Sequence, residues 1–102
     1  MSSIRIQAQS EGDTVTVRAM ITHVMETGRR KLPDGSIIPA HYIREVRAMT
    51  NGRVVFDADW GPGISRNPLL IFRYRGGKAG DALTLSWIDS EGGSDSAETR
   101  IG

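Results

Sequence analysis

Apolar and polar residues alternate along most of this chain, which is the pattern of strands that bury one face. Two such runs open the sequence and flank the turn-forming segment Glu11-Gly12-Asp13. Both are predicted to be strands with their apolar residues toward the core. Those residues are Ile4, Ile6 and Ala8 in the first run, and Val15, Val17, Ala19 and Ile21 in the second.

A third strand is predicted over residues 41–49, although its apolar residues change parity along the run. A β-bulge near Arg44 or Glu45 would bring both sets to one face. Asn51-Gly52, which follows, is a favoured dipeptide for a two-residue hairpin turn and predicts a paired fourth strand. The inward positions of that fourth strand are predicted to be Val54, Phe56, Ala58 and Trp60, with Val55 outward.

Three further strands are predicted at Leu69–Arg75, Ala82–Asp89 and Ser96–Ile101, with glycine-rich turns between them. Residues 26–39 carry a Pro-Asp-Gly turn and are expected to form an exposed loop. Seven short strands without a helical period predict an all-β fold. We expect a single immunoglobulin-like antiparallel β-sandwich domain over residues 1–102.

Charge and cysteine content narrow the function. The 13 basic residues nearly balance the 12 acidic ones, which argues against a nucleic-acid partner. The chain has no cysteine, so it offers no thiol for catalysis or for covalent carriage of sulfur. Its first residues lack an export-signal pattern, and no apolar run is long enough to span a membrane.

A soft-metal site is one alternative, because imidazole and thioether groups suit copper. The candidate ligands are His23, Met25, His41 and Met49. Only His23 and Met25 are close in sequence, and histidines at strand ends and methionines in cores are common. A stand-alone periplasmic copper-binding module therefore stays an alternative, while no metal or cofactor is the prediction.

Acid-base catalysis is a second alternative, that of a small hydrolase. Asp57 and Asp59 share one face of the fourth strand, and His41 is the accompanying candidate. A charged strand face in contact with solvent explains the two carboxylates equally simply. The prediction is that the chain has no catalytic residue and is not an enzyme.

Apolar residues on the outward parity of the strands suggest a protein-protein interface, because several together would form a patch that monomers usually avoid. The interface is predicted to include Met20, Val24, Met49, Val55, Leu69, Ile71 and Ile88.

Several ordered segments together resemble the SoxZ family over essentially the whole chain. They are His23-Val24-Met25-Glu26-Thr27-Gly28 with the basic residues after it, then Ile38–Ile43, Asn51-Gly52 and Trp60–Pro68. The resemblance implies an immunoglobulin-like sandwich that forms a heterodimer with SoxY, whose C-terminal Gly-Gly-Cys-Gly-Gly arm carries sulfur intermediates during thiosulfate oxidation.

The resemblance also implies a periplasmic location, reached by co-export with a signal-bearing SoxY. Through that complex the chain would make transient contacts with other sulfur-oxidation enzymes, with the loops 26–39 and 61–68 as the expected contact regions. A homodimer of the isolated chain is a further expectation, because an exposed sheet face or an unpaired edge strand can bind a second copy of the chain.

Overall fold

The computed structural model describes residues 2–102, and Met1 of the N-terminal segment considered above lies outside the described residues. Seven antiparallel strands form two sheets, in the orders β1-β2-β5 and β4-β3-β6-β7. The predicted all-β sandwich is confirmed, and residues 2–102 contain no helix that is long and apolar enough to cross a bilayer. The strands are β1 (Ile4–Glu11), β2 (Thr14–Ile21), β3 (Ile43–Thr50), β4 (Arg53–Asp59), β5 (Leu69–Arg75), β6 (Ala82–Asp89) and β7 (Ser94–Arg100).

The core lies between the two sheets and follows the alternation in the sequence. On β2 the four predicted apolar residues are buried, while Arg18 and Met20 on the other parity are exposed. Complete burial of one such aliphatic side chain stabilises the fold by about 1.5–3 kcal/mol. The largest fully buried side chains are Ile21, Ile43, Leu83, Leu85, Val15, Val17 and Val46.

The predicted bulge in β3 is confirmed, because the pairing of β3 with β6 shifts between Ile43 and Glu45. A second irregularity was not predicted. Along β3 and β4, Ala48 pairs with Phe56 but Met49 pairs with Val54, so Val55 is an extra residue.

The prediction that Val55 faces outward is therefore wrong. The extra residue reverses the side-chain parity at the start of β4. As a result Val55 is half-buried and packs against the core, while Val54 is 47% exposed.

The two sides of the sandwich differ. On the β1/β7 side the chain end bonds to β1, because the N–H of Gly102 donates to the carbonyl of Ala8 at 2.9 Å and the N–H of Ser10 donates to the carbonyl of Gly102 at 2.8 Å. On the opposite side β4 and β5 are the outermost strands of their sheets. There Phe56 and Phe72 stack across the gap with ring centroids 4.5 Å apart, and both are only half-buried.

A hairpin between β2 and β3 projects from the sandwich. Isolated bridges pair Glu26 with His41 and Lys31 with Ile37, and every residue from 29 to 37 is exposed. We call residues 28–38 the finger; its tip is the predicted Pro-Asp-Gly turn. The molecule is accordingly elongated, with extents of 55 × 24 × 20 Å.

Candidate functional site

Three side chains, those of His23, His41 and Asp89, converge at the base of the finger. Asp89 ends β6 on the same parity as the buried residues Leu83, Leu85 and Trp87, so the strand carries its carboxylate inward. The side chains of His23 and Asp89 are each 4% exposed, and that of His41 is 33% exposed. Sequence reasoning missed Asp89, although an acidic residue on the apolar parity of a strand is a signal for such a site.

The carboxylate of Asp89 is fully engaged. Its Oδ2 accepts hydrogen bonds from Nε2 of His23 at 3.0 Å and Nε2 of His41 at 2.7 Å. Its Oδ1 accepts from the backbone N–H groups of Glu91 at 3.0 Å and Gly93 at 2.8 Å. Burial by itself would raise the pKa of Asp89, but these four hydrogen bonds outweigh burial and hold the pKa at about 2.

The backbone fixes the tautomer of His23. The N–H of Met25 donates to Nδ1 of His23 at 3.1 Å, so Nδ1 is an acceptor and the ring proton lies on Nε2, where Asp89 accepts it. The ring of His23 also packs edge-on against His41 and Trp87, with centroids 4.8 and 5.1 Å apart. His23 is therefore held as a neutral donor.

This donor arrangement does not fit a metal ion, even though ligand atoms of His23, His41 and Asp89 all lie within 4.8 Å of one another. A metal bound at Nε2 of neutral His23 would move the ring proton to Nδ1, where it would face the N–H of Met25. The copper set suggested by the sequence also fails to assemble. Met49 pairs with Thr84, five residues or roughly 17 Å along β6 from Asp89, and its side chain is exposed on the outward face.

The carboxylates proposed for a hydrolase lie elsewhere. Asp57 and Asp59 are exposed on the outward parity of β4, where Asp57 pairs with Arg47 at 3.5 Å and Asp59 stands opposite Glu45. The remaining candidate, His41, is bound to Asp89 instead. The structure therefore does not bring the three proposed catalytic residues together.

The structure divides the predicted interface residues. Met20, Leu69 and Ile71 form one group on the outward face of the three-stranded sheet, where Met20 pairs directly with Leu69. Met49 and Ile88 lie at opposite ends of the four-stranded sheet. Met49 pairs with Thr84, and Ile88 pairs with Glu45. Val24 precedes the finger and is 46% exposed. Val55, in contrast, is half-buried and packs against the core, as described for β4 above.

We call Met20, Leu69 and Ile71 the apolar patch. It lies among basic residues: Arg5 pairs with Met20, Arg18 pairs with Ile71, and Arg73 follows on the same face of β5. All three arginines are exposed. The outward face of the three-stranded sheet is therefore apolar and positively charged, which suits a partner surface that is apolar with acidic groups at its rim.

Fold and site together define an immunoglobulin-like β-sandwich with a buried His-Asp-His network and one apolar, basic sheet face. The chain belongs to the SoxZ family, because the family model described as "Sulphur oxidation protein SoxZ" matches residues 4–100. One of the segments that together carry the resemblance, His23–Gly28, supplies His23 to the network and forms the base of the finger. There Glu26 is buried and its Oε1 accepts from Arg30 at 2.5 Å, a hydrogen bond that lowers the pKa of Glu26.

Solved structures share the fold. A superoxide reductase (neelaredoxin) variant from Ignicoccus hospitalis is 17% identical with a TM-score of 0.63, and the match covers 98% of this chain and 78% of that one. The hypothetical protein PH1083 from Pyrococcus horikoshii is 17% identical with a TM-score of 0.61, over 97% of this chain and 87% of that one. No curated protein sequence matches this chain. At these identities the similarity extends to the fold alone.

Proposed function

We propose that this chain is the non-catalytic partner subunit of a SoxYZ carrier complex. In this role it binds SoxY, whose C-terminal cysteine arm carries the sulfur intermediates of thiosulfate oxidation. The observation that carries the proposal is membership of the SoxZ family over residues 4–100. The absence of cysteine is consistent with it, because sulfur must then be held by the partner.

The apolar patch is the proposed centre of the SoxY interface. Its three side chains are 45–59% exposed and form a contiguous group, whereas the outward apolar residues of the other sheet are separated. Burial of such a group is the usual source of binding free energy, and the surrounding arginines would set orientation and association rate.

The proposed mechanism is presentation. A rigid sandwich holds SoxY while the flexible cysteine arm reaches successive enzymes, so the arm length and the docking geometry determine its effective concentration at each enzyme. The finger and residues 61–68 are proposed to make the weaker contacts with those enzymes. We also propose a periplasmic location, which fractionation of the source cells into periplasm and cytoplasm would test.

Co-expression with a tagged SoxY tests the pairing. We expect equimolar recovery of the two chains, and we expect Met20→Asp to weaken SoxY binding at least about tenfold because it places a carboxylate in a buried apolar contact. Met49→Asp is the matched control, since Met20 is 53% and Met49 41% exposed on opposite sheets.

Two results would contradict the proposal. One is an isolated chain that shows no affinity for SoxY in titration calorimetry. The other is conversion of thiosulfate, or retention of a sulfur adduct, by this chain alone. Equal loss of binding in both methionine variants would move the interface away from the apolar patch.

A further inference from the structure

β5 is a sheet edge with which no second strand of the described chain pairs; the guanidinium of Arg53 reaches it and donates to the carbonyl of Arg75 at 2.8 Å. Of the strands at the sheet ends, β1 and β7 face each other on the side where Gly102 bonds to β1. β5 pairs only with β2, and among residues 2–102 no backbone hydrogen bond joins β5 to β4. Its other edge therefore offers unpaired N–H and C=O groups to a further strand.

β4, the other uncovered edge, carries the features that block pairing. It contains the extra residue Val55 and the exposed carboxylates of Asp57 and Asp59. Bulges and charges on an edge strand oppose the addition of another strand. β5 has no such bulge, because its register with β2 is continuous from Leu69 to Arg75, and it begins with the unbroken apolar run Leu69–Phe72.

The charges of β5 favour a second copy of the same strand. Arg73 and Arg75 both lie at its C-terminal end. In an antiparallel pair centred on Ile71, Ile71 stands opposite Ile71 of the second copy, Leu70 opposite Phe72, and Arg73 opposite Leu69. Like charges are thereby kept apart and apolar side chains meet, which makes the edge self-complementary about a twofold axis.

We propose that the isolated chain forms a twofold dimer in which β5 pairs antiparallel with β5 of a second copy. The two three-stranded sheets then join into one six-stranded sheet, and the half-buried Phe72 of each copy is covered. This inference does not depend on the proposed function, because it concerns the chain without SoxY.

Sedimentation equilibrium of the purified chain tests the dimer. We expect the wild-type chain to dimerise reversibly with concentration, and we expect Ile71→Lys to weaken the dimer at least about tenfold because two ammonium groups would stand opposite each other. Ile88→Lys is the matched control, since Ile71 and Ile88 are each 45% exposed and Ile88 lies on the other sheet. The control is expected to dimerise like the wild type.

An equimolar mixture of isotope-labelled and unlabelled wild-type chains tests the geometry without a substitution. We expect intermolecular nuclear Overhauser contacts between residues of β5 in the two copies. A chain that stays monomeric at NMR concentrations would overturn the proposal, as would intermolecular contacts that map to β4 or to the four-stranded sheet. Pairing of β5 with SoxY only, and never with itself, would also overturn it.

Discussion

Asp89 joins parts of the chain that are far apart in sequence. Its carboxylate accepts hydrogen bonds from His23 before the finger, from His41 after the finger, and from the turn that follows β6. A buried carboxylate with four donors is stable only while those donors remain in place. We therefore assign the network the role of fixing the base of the finger.

We predict that Asp89→Asn lowers the free energy of unfolding by about 2–4 kcal/mol, because the side-chain amide replaces an acceptor with a donor that faces existing N–H groups. Urea denaturation followed by tryptophan fluorescence measures the change. Asp57→Asn is the control, since the Asp57 side chain is 53% exposed, and its effect is expected to stay within about 0.5 kcal/mol. Equal effects of the two substitutions would contradict the role assigned to Asp89.

The same carboxylate predicts a pH dependence. The pKa of Asp89 falls from an ordinary value of 3.8 to about 2 on folding. Its contribution to the free energy of unfolding is therefore fully present above pH 3.8 and is lost as the pH falls toward 2. The difference corresponds to about 2 kcal/mol. Urea unfolding at a series of acid pH values should show this loss in the wild type. Asp89→Asn should reduce the slope of the free energy of unfolding against pH in this range. Identical slopes for the two proteins would contradict it.

At the scale of elements, turns and close approaches depend on single residues. Asn51 and Gly52 have φ angles of 50° and 75°, so the predicted hairpin has the two left-handed central residues of a type I′ turn. Gly77 after β5 is required for another reason. A Cβ there would lie 2.6 Å from Cγ2 of Val15 and 2.9 Å from the ring of Tyr74.

We predict that Gly77→Ala lowers the free energy of unfolding by about 1–3 kcal/mol, because the added methyl group must displace buried side chains. Gly63→Ala is the control, since a Cβ at Gly63 has no atom within 4 Å, and its effect should be close to zero. Thermal and urea denaturation of the two variants give the comparison. A fully tolerated Gly77→Ala would show that β5 and the turn after it are less tightly packed than described.

Local patterns predicted most of this fold and little of its site. Alternation and turn residues indicated the seven strands, the hairpin and the bulge near Arg44, since each depends on near neighbours in the chain. The parity of Val55 depends on the register between β3 and β4, and the partners of Asp89 come from three separate segments. Pairings of that kind are set by tertiary packing, which alternation does not encode.

At the scale of the whole molecule, the two sides of the sandwich should differ in their sensitivity to truncation. Ile101, on the side where β1 and β7 meet, is 3% exposed, whereas Ile71, on the side where β4 and β5 are outermost, is 45% exposed. We predict that Ile101→Ala lowers the free energy of unfolding by about 2–4 kcal/mol and Ile71→Ala by less than about 1 kcal/mol. Denaturation at low protein concentration, where any dimer is dissociated, provides the measurement. Similar losses at both positions would contradict the asymmetry.

The projecting finger offers a site for attaching a spectroscopic label. Its tip is exposed, and the polypeptide has no native thiol. A single cysteine introduced by Ser36→Cys would therefore be the unique attachment point for a fluorophore or a spin label on the isolated chain. Such a reporter would allow pairing with SoxY and arm motion to be followed by energy transfer without a substitution in the apolar patch.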